Sequence, residues 1–141
     1  MKKILITALV SFFSISVISA GSVYADDDYT SVIIDCSNLG LNKAMSPVVI
    51  DEKGLEIYPG SAGNEMDMKD VLSGGVVSYE NSMEKASTNK LAGKKPLIIK
   101  ANAVKGILSS DPMLGRLDSI RLALANNQSK LLSKRKVIFV Y

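Results

Sequence analysis

Five cations stand in two short runs, Lys94-Lys95 and Lys134-Arg135-Lys136, each directly ahead of an apolar stretch that reads as a strand. Brought together, they would make a patch suited to an anionic polymer or to lipid headgroups, and salt would weaken it over a Debye length of about 10 Å at 0.1 M. Four carboxylates, Asp35, Asp51, Glu56 and Glu80, are the other candidates for chemistry. Two of them held about 5–10 Å apart could do acid–base work on a glycan. Cys36, the single cysteine, would need a lysine or a helix N-terminus to become a nucleophile. Its place after Val32 and Ile34 on one strand face predicts a buried, inert thiol instead.

Absences narrow the field further. The chain has no histidine, which excludes the Ser-His-Asp triad, the Cys-His dyad and any His-ligated zinc site. One cysteine cannot build a thiolate metal site. Gly60-Ser61-Ala62-Gly63-Asn64 lacks the lysine and hydroxyl residue of a phosphate-cradling loop, and Lys94-Lys95 follows Gly93 with no glycine five residues before it. The run Asp26-Asp27-Asp28 lacks the spacing of a calcium loop and reads as a solvated leader. No catalytic, cofactor-binding or metal-ligating residue is therefore assigned, and no cofactor is expected. With no tryptophan and scattered aromatics, nucleic acid is a poor partner.

The elements that must position these residues begin behind an export signal. Lys2 and Lys3 precede an uncharged apolar stretch from Ile4 to Ile18, and Val23-Tyr24-Ala25 ends it with a small-residue cleavage pattern. Residues 1–25 are thus expected to be a cleaved signal peptide, and 26–141 a single α+β domain in the periplasm or outside the cell. The 22 uncharged positions from 4 to 25 are also long enough for an anchor. Five serines and the following acidic run favour cleavage. No later segment could span a bilayer. Cleavage leaves 116 residues, enough for one core that buries roughly 60–70% of the unfolded surface. Its two halves differ in charge: residues 26–84 hold 3 lysines and 12 carboxylates, residues 85–141 hold 12 Lys or Arg and 2 carboxylates. The halves of one fold can face each other and cancel, or a basic side can meet an anionic partner.

Strands are expected over 30–36, 47–51, 55–58, 97–104 and 137–141, with Glu52-Lys53-Gly54 closing a hairpin. Leu97, Ile99, Ala101 and Ala103 should share an inward face. Residues 65–72 and 81–90 read as short helical segments. Ser110 or Asp111 is placed to cap a helix beginning at Pro112, in which Met113, Leu117, Ile120 and Leu124 form an apolar stripe along 112–125. The expected fold is a small mixed β-sheet with a β-hairpin and a C-terminal β-α-β unit packed on one face. If the strands at 97–104 and 137–141 are parallel, all five cations gather at one edge; antiparallel strands would split them. The competing expectation is that Glu80 and Glu84 fold over the patch and neutralise it.

The stretches "SVIIDCSNLGLNKAMSPVVIDEKGLEIYPG", "GGVVSYENSMEKA", "KPLIIKANAV" and "RKVIFVY" resemble a family of small uncharacterised exported proteins of diderm bacteria. A more distant similarity runs to periplasmic and lipoprotein components of flagellar assembly. The resemblance implies export and an α+β fold, and carries no reaction. The function expected from all of this is a non-catalytic cell-envelope module that binds a protein partner or an anionic envelope polymer. The alternative is a histidine-free, glycan-active enzyme using a carboxylate pair.

Overall fold

The unbroken apolar runs Val32-Ile33-Ile34 and Val137-Ile138-Phe139-Val140 are what a strand needs when both of its faces are covered. In the computed structural model, which describes residues 28–141, they form the two central strands of a parallel sheet. The elements in chain order are β1 (Ser31–Asp35), β2 (Val49–Ile50), β3 (Glu56–Tyr58), a 3-10 turn (Gly60–Glu65), α1 (Met68–Gly74), β4 (Ser78–Glu80), α2 (Met83–Thr88), β5 (Pro96–Lys100), β6 (Ala103–Lys105), β7 (Asp111–Met113), α3 (Arg116–Ser129) and β8 (Val137–Val140). The fold is α+β. The expected leader at residues 1–25 lies outside the described residues.

The expectation of one mixed sheet is corrected to two sheets of four strands. The first runs β4-β8-β1-β5 with every pair parallel, and the second runs β3-β2-β7-β6. The hairpin formed by β2 and β3 is as read from the sequence, antiparallel and closed at Gly54 with φ +84°. The Asp51 carboxylate accepts from the N–H of Lys53 at 2.8 Å and of Leu55 at 2.9 Å, which fixes the turn. This hairpin belongs to the second sheet. The single strand expected over 97–104 is also divided. Ala101 donates its N–H to Asp35 in the first sheet at 3.0 Å, and the next residue, Asn102, donates to Met113 in the second at 2.9 Å. The chain crosses between sheets there, and Ala103 begins β6.

Alternation along the parallel strands separates two packed layers. Val32, Ile34, Cys36, Leu97, Ile99, Val137 and Phe139 face the second sheet and α3, meeting Val49, Tyr58, Leu114, Leu122 and Ala125. Ile33, Ile138 and Val140 face Ala86 of α2 and Ala92. Ser82 caps α2, its hydroxyl accepting from the Lys85 N–H at 3.1 Å.

The long helix departs most from expectation. It spans Arg116–Ser129 rather than 112–125, and Pro112 and Met113 lie in β7. Asp111 caps nothing at a helix start; its carboxylate accepts from the Val48 N–H at 3.1 Å. Leu117, Ile120 and Leu124 are turned outward, Leu117 being 76% exposed, and Leu122 and Ala125 are the buried pair. Spacing detected a coherent stripe, but the helix is anchored on both flanks by Leu114 and by Leu131-Leu132, all buried. Those anchors set which face turns inward. No helix among the described residues is long and apolar enough to cross a membrane.

Candidate functional site

Parallel strands begin at the same end of a sheet, so whatever precedes β1, β5 and β8 is gathered there. Ser31 pairs with Pro96, and Val32 with Val137. The segments Asp28-Tyr29-Thr30, Lys94-Lys95 and Lys134-Arg135-Lys136 therefore meet at the amino edge of the first sheet. A groove of about 580 Å³ opens at this edge, and its cationic lining is Lys90, Lys130, Lys134 and Lys136. Asp28 is the carboxylate in that lining among the described residues.

The groove wall is held together by a close set of backbone and hydroxyl hydrogen bonds. Thr30 and Lys95 exchange bonds: the Thr30 N–H donates to the Lys95 carbonyl, and the Lys95 N–H donates to the Thr30 hydroxyl, both at 2.9 Å. The hydroxyls of Thr30 and Ser31 donate to the Ala92 carbonyl. Gly93 follows with φ +71°, where a Cβ would stand 2.7 Å from Thr30, so no larger residue fits without displacing the wall. On the far side α3 ends at Lys130 in the left-handed region (φ 55°, ψ 40°), its N–H donating to the Asn126 carbonyl at 2.8 Å. The Asn126 side chain then accepts from the Leu132 N–H at 2.9 Å, and the Lys136 N–H donates to the Leu131 carbonyl at 2.9 Å. The loop carrying Lys130, Lys134 and Lys136 is folded onto the end of its own helix.

The five cations named from sequence divide. Lys134 and Lys136 line the groove. The Lys95 ammonium lies 5.2 Å from the ring centre of Tyr29, itself a lining residue. Lys94 is exposed beside it. Arg135 leaves the cluster: its φ is +56°, and its guanidinium donates to the carbonyls of Asp70 at 3.0 Å and Gly75 at 2.7 Å, closing the end of α1. Lys90 and Lys130 belong to the groove and were not among the five. Lys130 caps the end of α3 and Lys90 stands in the turn after α2, both on segments that return to the amino edge, a signal available only once the strand order is known.

Neutralisation by Glu80 and Glu84 does not occur. Glu80 ends β4 at the carboxyl edge, paired with Val140 and accepting from the Asn89 amide at 3.0 Å. Glu84 is in the first turn of α2, which follows that edge. Of the proposed carboxylates, Asp35 and Glu80 flank Val140 from its two sides, and Asp51 and Glu56 stay in the hairpin. Each serves local backbone or side-chain donors. Asp35 accepts from the N–H and hydroxyl of Ser37 at 3.0 and 2.6 Å, and Glu56 accepts from the Gly60 N–H at 3.3 Å. No group of three or more His, Cys, Asp or Glu among the described residues could hold a metal ion.

Cys36 is fully buried beside Val32 and Ile34. Burial, with the Asp35 charge adding to it, pushes its thiol from 9.0 up to about 12. A thiol so raised is not a nucleophile at neutral pH.

Residues 31–141 match the family model described as Treponema pallidum Tp0624, second domain. No curated protein matches the chain.

Proposed function

The chain belongs to the family of the second domain of Treponema pallidum Tp0624, and from that premise we propose that it is a non-catalytic envelope module whose lysine groove holds an anionic polymer. One observation carries the reading: four lysines line one groove with Asp28 as the carboxylate among its described residues, while Asp35, Glu80 and Glu84 stand at the opposite edge of the sheet. Ammonium groups sharing a concave, partly enclosed wall raise the local potential for anions more than the same charges spread over a flat surface. Tyr29 adds a ring to the wall, an apolar contact for the sugar face of a charged glycan. The name of the matched family speaks of a second domain, so in that protein the domain works beside another. A binding module suits such an arrangement, and export through residues 1–25 is part of the same proposal.

The glycan-active alternative has less behind it. Asp35 and Glu80 come closest to a pair: with Val140 and its strand between them they stand two strand spacings apart, on the order of 10 Å along the sheet, at the upper end of the range such chemistry uses. Both already serve structural hydrogen bonds.

The test is sedimentation with purified cell-wall material at 50 mM and 500 mM salt. The wild-type protein should co-sediment at low salt and be released at high salt. Replacing Lys90, Lys130, Lys134 and Lys136 by Gln should abolish the low-salt binding with the melting temperature little changed. Equal binding by the variant would overturn the assignment.

A further inference from the structure

At the other end of the first sheet, large apolar side chains stand in water. Ile107 is 103% exposed, Met45 92% and Leu108 65%. They come from two loops, one between β1 and β2 and one at the tip of the β6–β7 hairpin, that are fastened together. Asn42 donates its backbone N–H to the Ser109 carbonyl and its side-chain amide to the Leu108 carbonyl, both at 2.9 Å. The tip is tightly made: the Ser109 N–H donates to the Gly106 carbonyl at 3.1 Å, and Gly106 has φ +91° with the Asp111 carboxylate 2.5 Å from where a Cβ would be. Met45, Ile107 and Leu108 line one shallow groove together, and Met45 and Leu72 of α1 line the next, so the apolar surface is continuous. Leu72 is 80% exposed. The Ala44 N–H donates to the Tyr79 hydroxyl at 3.1 Å, and the Lys43 ammonium lies 4.5 Å from the ring centre of Tyr141, just beyond β8. These contacts place the Ile107 tip toward the carboxyl end of the sheet, whereas Leu72 lies toward the amino end, on the helix whose end Arg135 closes.

Isolated exposed apolar residues are ordinary, but three of them locked at a rigid protruding tip and continuous with a fourth mark a contact surface. We propose that this tip inserts into the interfacial region of a lipid bilayer. Shape and charge favour lipid over a protein partner. Ile107 stands clear of its neighbours, a convex point that enters a soft medium without a matching pocket. Lys43 lies in the first loop and Lys105 ends β6 just before the tip, opposite Asp111, and residues 41–48 and 106–110 contain no carboxylate. Asp111, next in sequence, turns its carboxylate to the Val48 N–H and the Ser110 hydroxyl, both at 3.1 Å. The nearby α1 carries Lys69 and Asp70, which balance, and Asp67 is occupied by the Lys69 N–H. The loops thus present an apolar point rimmed by cations, the arrangement that suits anionic headgroups over an acyl boundary. The inference does not depend on the lysine groove.

The chain has no tryptophan, so Ile107→Trp supplies a reporter without background. Its emission should shift to the blue when phosphatidylcholine vesicles containing a quarter phosphatidylglycerol are added, and the shift should survive 0.5 M salt in part, because burial of apolar surface is not screened. In vesicle flotation, Met45→Ser/Ile107→Ser/Leu108→Ser should lower the bound fraction by roughly tenfold or more, given the area withdrawn from lipid. The single variant Ile107→Ser, at a fully exposed position, should lower it in part with an unchanged melting temperature. The groove variant with four Gln should float like wild type on pure phosphatidylcholine. Absence of a blue shift with wild-type-like folding, or flotation of the triple variant equal to wild type, overturns the proposal. A wild-type dimer that the triple variant converts to monomer also overturns it, by assigning the tip to a second copy of the chain.

Discussion

Lys134, Arg135 and Lys136 are adjacent in sequence and serve two different purposes. Arg135 has positive φ, and its side chain reaches the carbonyls of Asp70 and Gly75, leaving the two lysines to the groove. Arg135→Gln is therefore expected to lower stability by about 1–2 kcal/mol through lost charge-assisted bonds to partly exposed carbonyls, while salt-sensitive polymer binding stays at the wild-type level. Thermal melts beside the sedimentation assay measure the two separately. Gly93→Ala acts on the wall: a Cβ 2.7 Å from Thr30 at φ +71° should cost about 1–3 kcal/mol and weaken binding with all lysines in place. Cys36 sets an alkaline limit. Its thiol is protonated up to about 12 in the folded chain and up to 9.0 when exposed, so between these values the unfolded state holds fewer protons and stability falls as pH rises. Burial raises the Tyr58 hydroxyl too, and its contribution is lost in the same direction above pH 10. Denaturation midpoints from pH 8 to 11 should decline, and Cys36→Ala should remove the part of the decline that begins at 9. The same burial predicts that thiol reagents label the native protein slowly and the denatured protein fast.

At the scale of elements, the outward stripe of α3 is the clearest departure. Leu122→Ala removes a fully buried side chain and should cost about 2–5 kcal/mol, whereas Leu117→Ala, at a position 76% exposed, should change stability by no more than about 0.5 kcal/mol. Urea denaturation of the two variants decides which helix face is the inner one; equal losses would contradict the described packing. Strands with β-branched runs were legible because their residues state both type and burial: Thr30 to Cys36 and Val137 to Tyr141 hold within one or two residues. The hairpin was legible because Asp51 and Gly54 have the chemistry its turn requires. The crossing at Ala101-Asn102 was not, since the alternation of Leu97, Ile99 and Ala101 continues formally through Ala103 while the hydrogen bonds change sheet. The start of α3 was misread because Pro112 satisfies a helix N1 position and a strand equally well, and only pairing of Asp111–Met113 with β6 decides.

At the scale of the molecule, parallel topology turns a linear charge pattern into a polar object. The amino edge of the first sheet collects lysines from four separate segments. The carboxyl end carries Asp35, Glu80 and the rigid apolar tip around Ile107. The two-run pattern of cations foretold the edge, because each run stands ahead of a strand. It could not foretell Lys90 and Lys130, which arrive through helices, or the loss of Arg135, which follows from one backbone angle. A domain built this way can hold a polymer at one end and rest on a surface at the other, with the core between them as a spacer. The groove is tested by co-sedimentation with purified cell-wall material of the wild-type chain and of the variant carrying Gln at 90, 130, 134 and 136. Binding at 50 mM salt that disappears at 500 mM and in the folded variant is the predicted result; binding that is unaffected by salt or by the four substitutions would contradict it.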